Sequence, residues 1–111
     1  MRDRVSWSAQ AESDLLEACS YLATGSAEVA ERFLEAVDST QDLLRSNPEA
    51  GRLRESAKAR LAGIRSWLVR GFPSYLVFYR LEAGRVEVVR LLHGARDLPD
   101  QVREPEASAA H

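Results

Sequence analysis

The stretch from Ser74 to Pro99, SYLVFYRLEAGRVEVVRLLHGARDLP, constrains the fold of this chain more than any other. Two runs of apolar, aromatic and β-branched residues flank Glu82-Ala83-Gly84. Runs of this kind around a glycine turn predict a β-hairpin. The second run ends in Leu92-His93-Gly94-Ala95-Arg96-Asp97. Polar groups directly after a buried strand are a common place for a sheet to display a site. A lone hairpin is marginal in water, so the rest of the chain has to cover this one.

The preceding residues supply the cover. Arg4 to Trp7 is a short opening strand, with Val5 and Trp7 on one side. Ser8 is placed to cap a helix from Ala9 to Ala23 that stops at Gly25. Its stripe is Ala11, Leu15, Ala18, Cys19 and Leu22, with Glu12 and Asp14 in the early turns, where the helix dipole favours acids. Ser26 caps a second helix, whose stripe is Ala30, Phe33, Leu34, Val37, Gln41 and Leu44. Asn47-Pro48 ends it, because proline cannot continue a helix and restricts the residue before it. So short a link predicts an antiparallel helical hairpin. The acids off the stripes read as a solvated face.

Glu49 to Ala62 has weak periodicity and carries Arg52, Arg54, Lys58 and Arg60. It reads as a basic connecting segment with at most one helical turn, either a solvated linker or a functional loop. Ile64 to Val69, Tyr75 to Leu81 and Val86 to Leu92 read as three strands, with Gly71-Phe72-Pro73 turning the chain between the first two. The predicted order is strand, helix, helix, strand, strand, strand. The fold class is α+β, two layers, an antiparallel meander packed on a helical hairpin. The strands are apolar on both sides in places, so the second face is expected to be covered as well, by the tail or a partner. Residues 1–98 form a single domain in this reading, and residues 99–111 a flexible acidic tail.

At 111 residues the chain suits one modest core, burying roughly 60–70% of what the unfolded chain exposes. No apolar run approaches the ~20 residues of a membrane span, no leader pattern opens the sequence, and Cys19 has no disulfide partner. These features point to the cytoplasm. The net charge of −2 conceals a split. Met1 to Ala50 holds four arginines against ten acids, net −6, whereas Gly51 to Leu98 holds nine arginines and Lys58 against four acids, net +6. The basic half calls for an anionic partner, and arginine forks suit carboxylate and phosphate alike. Arg52, Arg54, Arg60, Arg65, Trp67, Arg80, Arg90, His93 and Arg96 are the candidate partner-contact residues.

With two His and one Cys there is no ligand set of zinc spacing, and no glycine-rich phosphate loop occurs, so neither metal nor cofactor is expected. Cys19 reads as a core residue, as do the large aromatics. Metal-independent RNA cleavage would need a base, an acid and cations against the phosphorane charge. His93 with Arg65 and Arg96 could supply part of this, with Tyr75 or Tyr79 as proton donor. Against it, arginine is a poor general acid and no Tyr follows Tyr79. His93 therefore reads first as a structural or partner-contact residue.

The segment FPSYLVFYRLEAGRVEVVRLLHGARDL resembles the C-terminal part of ParE-like toxins, within the ParE/RelE superfamily of type II toxin–antitoxin systems. SAQAESDLLEACSYLA, AERFLEAVDSTQDLLRSNPEAG and LAGIRSWLVRGF resemble the family in the same order, so that the likeness runs from Val5 to Leu98. The resemblance implies a RelE/ParE-like fold and a cytoplasmic toxin neutralised by, and assembled with, a cognate antitoxin. The charge split gives that antitoxin an acidic, amphipathic segment that covers the sheet and the basic linker. ParE-like members poison DNA gyrase and RelE-like members cleave messenger RNA on the ribosome, while a degenerate member would merely bind its antitoxin. The fold is shared, so the branch has to be argued from the site.

Overall fold

The computed structural model describes residues 5–54 and 63–97. Its elements are β1 (Val5–Trp7), α1 (Ala9–Gly25), α2 (Ala27–Ser46), β2 (Arg52–Leu53), β3 (Arg65–Val69), β4 (Phe72–Glu82), β5 (Arg85–His93) and a short turn of helix, α3 (Gly94–Asp97). The strands form one five-stranded sheet in the order β1-β5-β4-β3-β2, with the two long helices packed on one face. The α+β, two-layer expectation holds. The sheet is mixed, however, because β1 runs parallel to β5.

Helix boundaries follow local chemistry. The Ser8 side chain accepts the Ala11 N–H at 3.0 Å and starts α1. Ser26 serves both helices: its N–H donates to the Leu22 carbonyl at 3.0 Å, and its hydroxyl accepts the Val29 N–H at 3.2 Å. A one-residue link of this kind folds α2 back against α1. Asn47 closes α2 with its backbone and side-chain N–H groups on the Leu43 carbonyl, at 2.8 and 3.2 Å.

The hairpin turn is tighter than its sequence suggested. β4 runs to Glu82 and β5 starts at Arg85, leaving Ala83 and Gly84 as the loop, with φ of 53° and 77°. Positive φ at both central positions matches the right-handed twist of the strands. At the other end, Phe72 and Pro73 belong to β4 rather than to the preceding turn. The β3–β4 register jumps from Leu68↔Leu76 to Val69↔Phe72, and this irregularity accommodates a proline that has no N–H for the ladder.

The main core lies between sheet and helices. Phe33 is fully buried, with its ring centroid 5.1 Å from Phe72 and 4.9 Å from Tyr75. Burying a side chain of that size is worth roughly 1.5–3 kcal/mol. The second sheet face carries a smaller cluster of Ile64, Phe78 and Leu92, flanked by Leu76 and Val89. The strands are thus apolar on both sides, as the pattern implied. Leu34, assigned to the α2 stripe, is instead 45% exposed, while Thr40, left off it, is buried with its hydroxyl on the Ala36 carbonyl.

Arg52 to Leu53 is an edge strand, where the sequence suggested only a linker with a helical turn. Lys58, Arg60, Arg4 and the proposed acidic tail lie outside the described residues.

Candidate functional site

The candidate residues fall into three groups. The first surrounds the root of the basic segment. The Tyr79 hydroxyl donates to the Pro48 carbonyl and accepts the Gly51 N–H, both at 2.8 Å. Arg65, directly opposite Tyr79, donates to the carbonyls of Glu49 and Gly51 at 3.1 and 2.9 Å. Trp67 lies on the same face and packs against the main core. Burial pushes the Tyr79 phenol above its ordinary range, only partly offset by the Gly51 hydrogen bond and the Arg65 charge. Tyr79 and Arg65 therefore hold the backbone from which Arg52 and Arg54 project.

The second group is on the outer face. Arg54 donates to the Ser66 hydroxyl at 2.8 Å and sits 5.6 Å from the Phe78 ring centroid. Arg80 faces Glu87 across the β4–β5 ladder at 3.6 Å. These two arginines frame the apolar cluster of Ile64, Phe78 and Leu92.

The third group is at the end of β5. Val89 is an extra residue in that strand, since Tyr79 pairs with Val88 and Phe78 with Arg90. A bulge re-aims the side chains beside it. Here it brings Arg90 to α1, where Asp14 takes it at 2.7 and 3.1 Å. That hydrogen bond, above all, holds the Arg90 guanidinium beyond its usual pKa range. The Leu91 N–H also goes to Asp14, at 3.0 Å. Ser8 serves the residues just before, donating its N–H to the Val88 carbonyl at 2.9 Å and its hydroxyl to the Val89 carbonyl at 3.0 Å. Past the end of β1, Ser8 and Asp14 therefore serve the edge groups of β5 that a longer β1 would have paired.

His93 and α3 close on themselves. His93 Nδ1 accepts the Arg96 N–H at 3.2 Å, and Asp97 accepts the His93 N–H at 2.9 Å. Arg96 and Asp97 tie the strand end to its own last turn. The Arg96 guanidinium lies 4.8 Å from the Tyr21 ring centroid, over α1. It also approaches the buried Tyr75 hydroxyl, which raises its pKa, but the two do not reach good hydrogen-bond geometry, and among the described residues that hydroxyl has no hydrogen-bond partner. Cys19 is half-buried, and burial pushes its thiol up, away from reactivity.

The geometry does not unite the groups considered for RNA cleavage. Arg65 lies opposite Tyr79 on one neighbour of β4, and His93 opposite Tyr75 on the other. Four residues of strand and two strand spacings put their backbones roughly 16 Å apart. The Arg65 guanidinium is also taken up by two carbonyls at the far end. Arg96 does lie beside His93, but through its backbone.

Residues 5–98 match the family model of the ParE toxin of type II toxin–antitoxin systems, ParDE. The chain belongs to the ParE toxin family. Among solved structures, the chromosomal ParDE toxin–antitoxin system from P. aeruginosa is similar in fold, with a TM-score of 0.65 and 16% identity, covering 80% of this chain and 92% of that one. No curated protein matches the sequence. Among the described residues, no helix of this ParE-family chain is long and apolar enough to cross a membrane, and no group of His, Cys, Asp and Glu is placed to hold a metal.

Sequence reasoning missed Asp14 and Tyr79 as organising residues of this ParE-family site. The signal for Asp14 was present. It follows Ala11 by three positions and precedes Ala18 by four, inside the apolar stripe. An acid there has to find a buried partner.

Proposed function

We propose that this chain is a toxin that acts by binding rather than by chemistry of its own, with DNA gyrase as its target, and that a cognate antitoxin neutralises it in a cytoplasmic complex. The observation that carries this reading is the separation of Arg65 from His93, which leaves the candidate acid–base set dispersed across the sheet. The membership of the ParE toxin family supports the target class. The antitoxin contact follows from charge and exposure. Arg52 and Arg54 stand at the β2 edge, Arg54 and Arg80 frame the outer apolar cluster, and an acidic amphipathic segment complements both. Arg60 belongs to the same basic stretch of sequence. Arg90, His93 and Arg96 are set mainly by contacts within the chain, and contribute to partner binding through the parts of them that remain exposed.

The test is a supercoiling assay with purified gyrase, run beside ribosome-dependent cleavage of messenger RNA. Inhibited supercoiling with intact RNA is expected. Cleaved RNA with unaffected gyrase would overturn the proposal in favour of the RelE-like alternative. Expression that leaves growth unaffected would favour an antitoxin-binding module without toxicity. A folded His93→Ala variant is expected to keep its full growth-arrest effect.

A further inference from the structure

Tyr75 is 5% exposed, yet its hydroxyl has no hydrogen-bond partner among the described residues. Buried hydroxyls in native folds are paired, so this one calls for an acceptor. Tyr75 lines a cleft of about 400 Å³ between α1 and the end of β5, a volume in the range of small-molecule sites. One wall is a single face of α1, where Asp14, Glu17, Ala18 and Tyr21 follow at three- and four-residue spacing. Arg96 and Asp97 of α3 stand across from it. Most of the charge in the cleft is already spent. Asp14 holds Arg90 and the Leu91 N–H. Asp97 accepts the His93 N–H and lies 3.5 Å from Arg96. Glu17 is exposed, and the guanidinium it acts on, that of Arg90, is committed to Asp14. Arg96, over the Tyr21 ring, carries five N–H donors and has some to spare. The unspent groups are therefore donors at Tyr75 and Arg96 and an acceptor at Glu17.

We infer that this cleft binds a free α-amino acid, with its carboxylate on the Tyr75 hydroxyl and the Arg96 guanidinium and its ammonium on Glu17. Charge decides the class. The lining holds Asp14, Glu17 and Asp97 against Arg90 and Arg96, one negative charge in excess. A simple anion would add a second uncompensated negative charge. A simple cation would meet Arg96 across the buried hydroxyl. A zwitterion leaves the balance unchanged and serves both ends of the cleft, and a carboxylate on an arginine is a charge-assisted hydrogen bond. Glu17 is one helical turn from Tyr21, the ring on which Arg96 rests, so the two ends lie within the reach of one small ligand. Ala18, Tyr21, Leu91 and Leu92 make up the rest of the lining and suit an aliphatic side chain. The site does not depend on the gyrase or antitoxin reading.

The probe is L-leucine, titrated into the full chain and followed by the amide resonances of Ala18, Tyr21 and Leu92. Saturable shifts are expected, with half-saturation at about 1 mM or below. Isocaproate lacks the ammonium and isoamylamine lacks the carboxylate, and each should bind about tenfold more weakly than leucine. Tyr75→Phe removes only the unpaired hydroxyl, so it should keep its full stability while binding leucine about tenfold more weakly. Glu17→Gln should weaken leucine and strengthen isocaproate, because the rim then no longer repels a bare carboxylate. A loss of stability in Tyr75→Phe would show that the hydroxyl serves the fold, and unchanged leucine affinity in that variant would show that it serves no ligand; either result would overturn the site. Equal binding of leucine and isocaproate would overturn the zwitterion in favour of a plain carboxylate, free or on a partner protein. No saturable shift at about 10 mM leucine would overturn the whole inference.

Discussion

Asp14 on α1 and Arg90 on β5, 76 positions apart, are joined by two hydrogen bonds, and the same carboxylate receives the Leu91 N–H. One side chain therefore fastens the first helix to the strand that ends at His93. Asp14 is 6% exposed and Arg90 43%. Breaking a fully buried pair costs about 3–5 kcal/mol, and the partial exposure of Arg90 lowers that figure. Asp14→Ala is expected to cost about 2–3 kcal/mol in urea unfolding, since it also strips the Leu91 N–H of its partner. Arg90→Ala should cost less, because water can reach the carboxylate from the arginine side. The double variant should cost less than the sum of the two.

Gly51 has no room for a side chain. A Cβ there would sit 2.4 Å from the Tyr79 hydroxyl oxygen and 2.7 and 2.9 Å from ring carbons. Gly51→Ala is therefore expected to destabilise by about 1–3 kcal/mol. Tyr79→Phe should not rescue it, because the ring carbons alone still clash. An unfolding midpoint in the double variant equal to that of Tyr79→Phe alone would contradict this.

Stability should fall at alkaline pH through Tyr79. Its phenol is raised in the folded chain, by burial first. The unfolded chain therefore releases this proton at a lower pH, near 10, and the folded chain holds it longer. The unfolded state binds fewer protons in that window, so stability is undiminished below about pH 10 and declines as pH rises above it. Tyr79→Phe is expected to flatten that limb in a urea series across pH, while lowering stability at neutral pH by about 1–2 kcal/mol through the unpaired Gly51 N–H and Pro48 carbonyl.

Ala83 occupies the left-handed region at φ 53°. That conformation costs a residue with a Cβ roughly 1–2 kcal/mol, and asparagine or glycine less. Ala83→Asn would create an Asn-Gly turn, and is expected to raise stability by about 0.5–1 kcal/mol. The measurement is thermal unfolding, with an upward shift of a few degrees.

Much of the architecture was legible in the chain. Ser8 and Ser26 announce their helices because capping is local: a hydroxyl and an amide three residues on suffice. The strands of the hairpin declared themselves by β-branched runs, and the turn by Gly84. The boundaries moved at Phe72 and Pro73 because an irregular register, which no local pattern encodes, makes room for the proline. The candidate site was legible as a list of charged residues but not as an arrangement. Arg65 and Trp67 face the helices, Arg54 and Arg80 the outer side, and Arg90 turns to α1 at a bulge.

By itself the sequence determined where the two long helices start, that a β-hairpin follows them, and that its strands are apolar on both faces, because these depend on contacts a few residues apart. The tertiary structure alone decided that β1 lies parallel to β5, that Asp14 is buried against Arg90, and that Arg52 and Leu53 pair with β3 at the sheet edge. Each of these joins groups far apart in the sequence. Their partners are selected by burial and by backbone groups in need of a hydrogen bond, and neither exists until the helices have settled on the sheet.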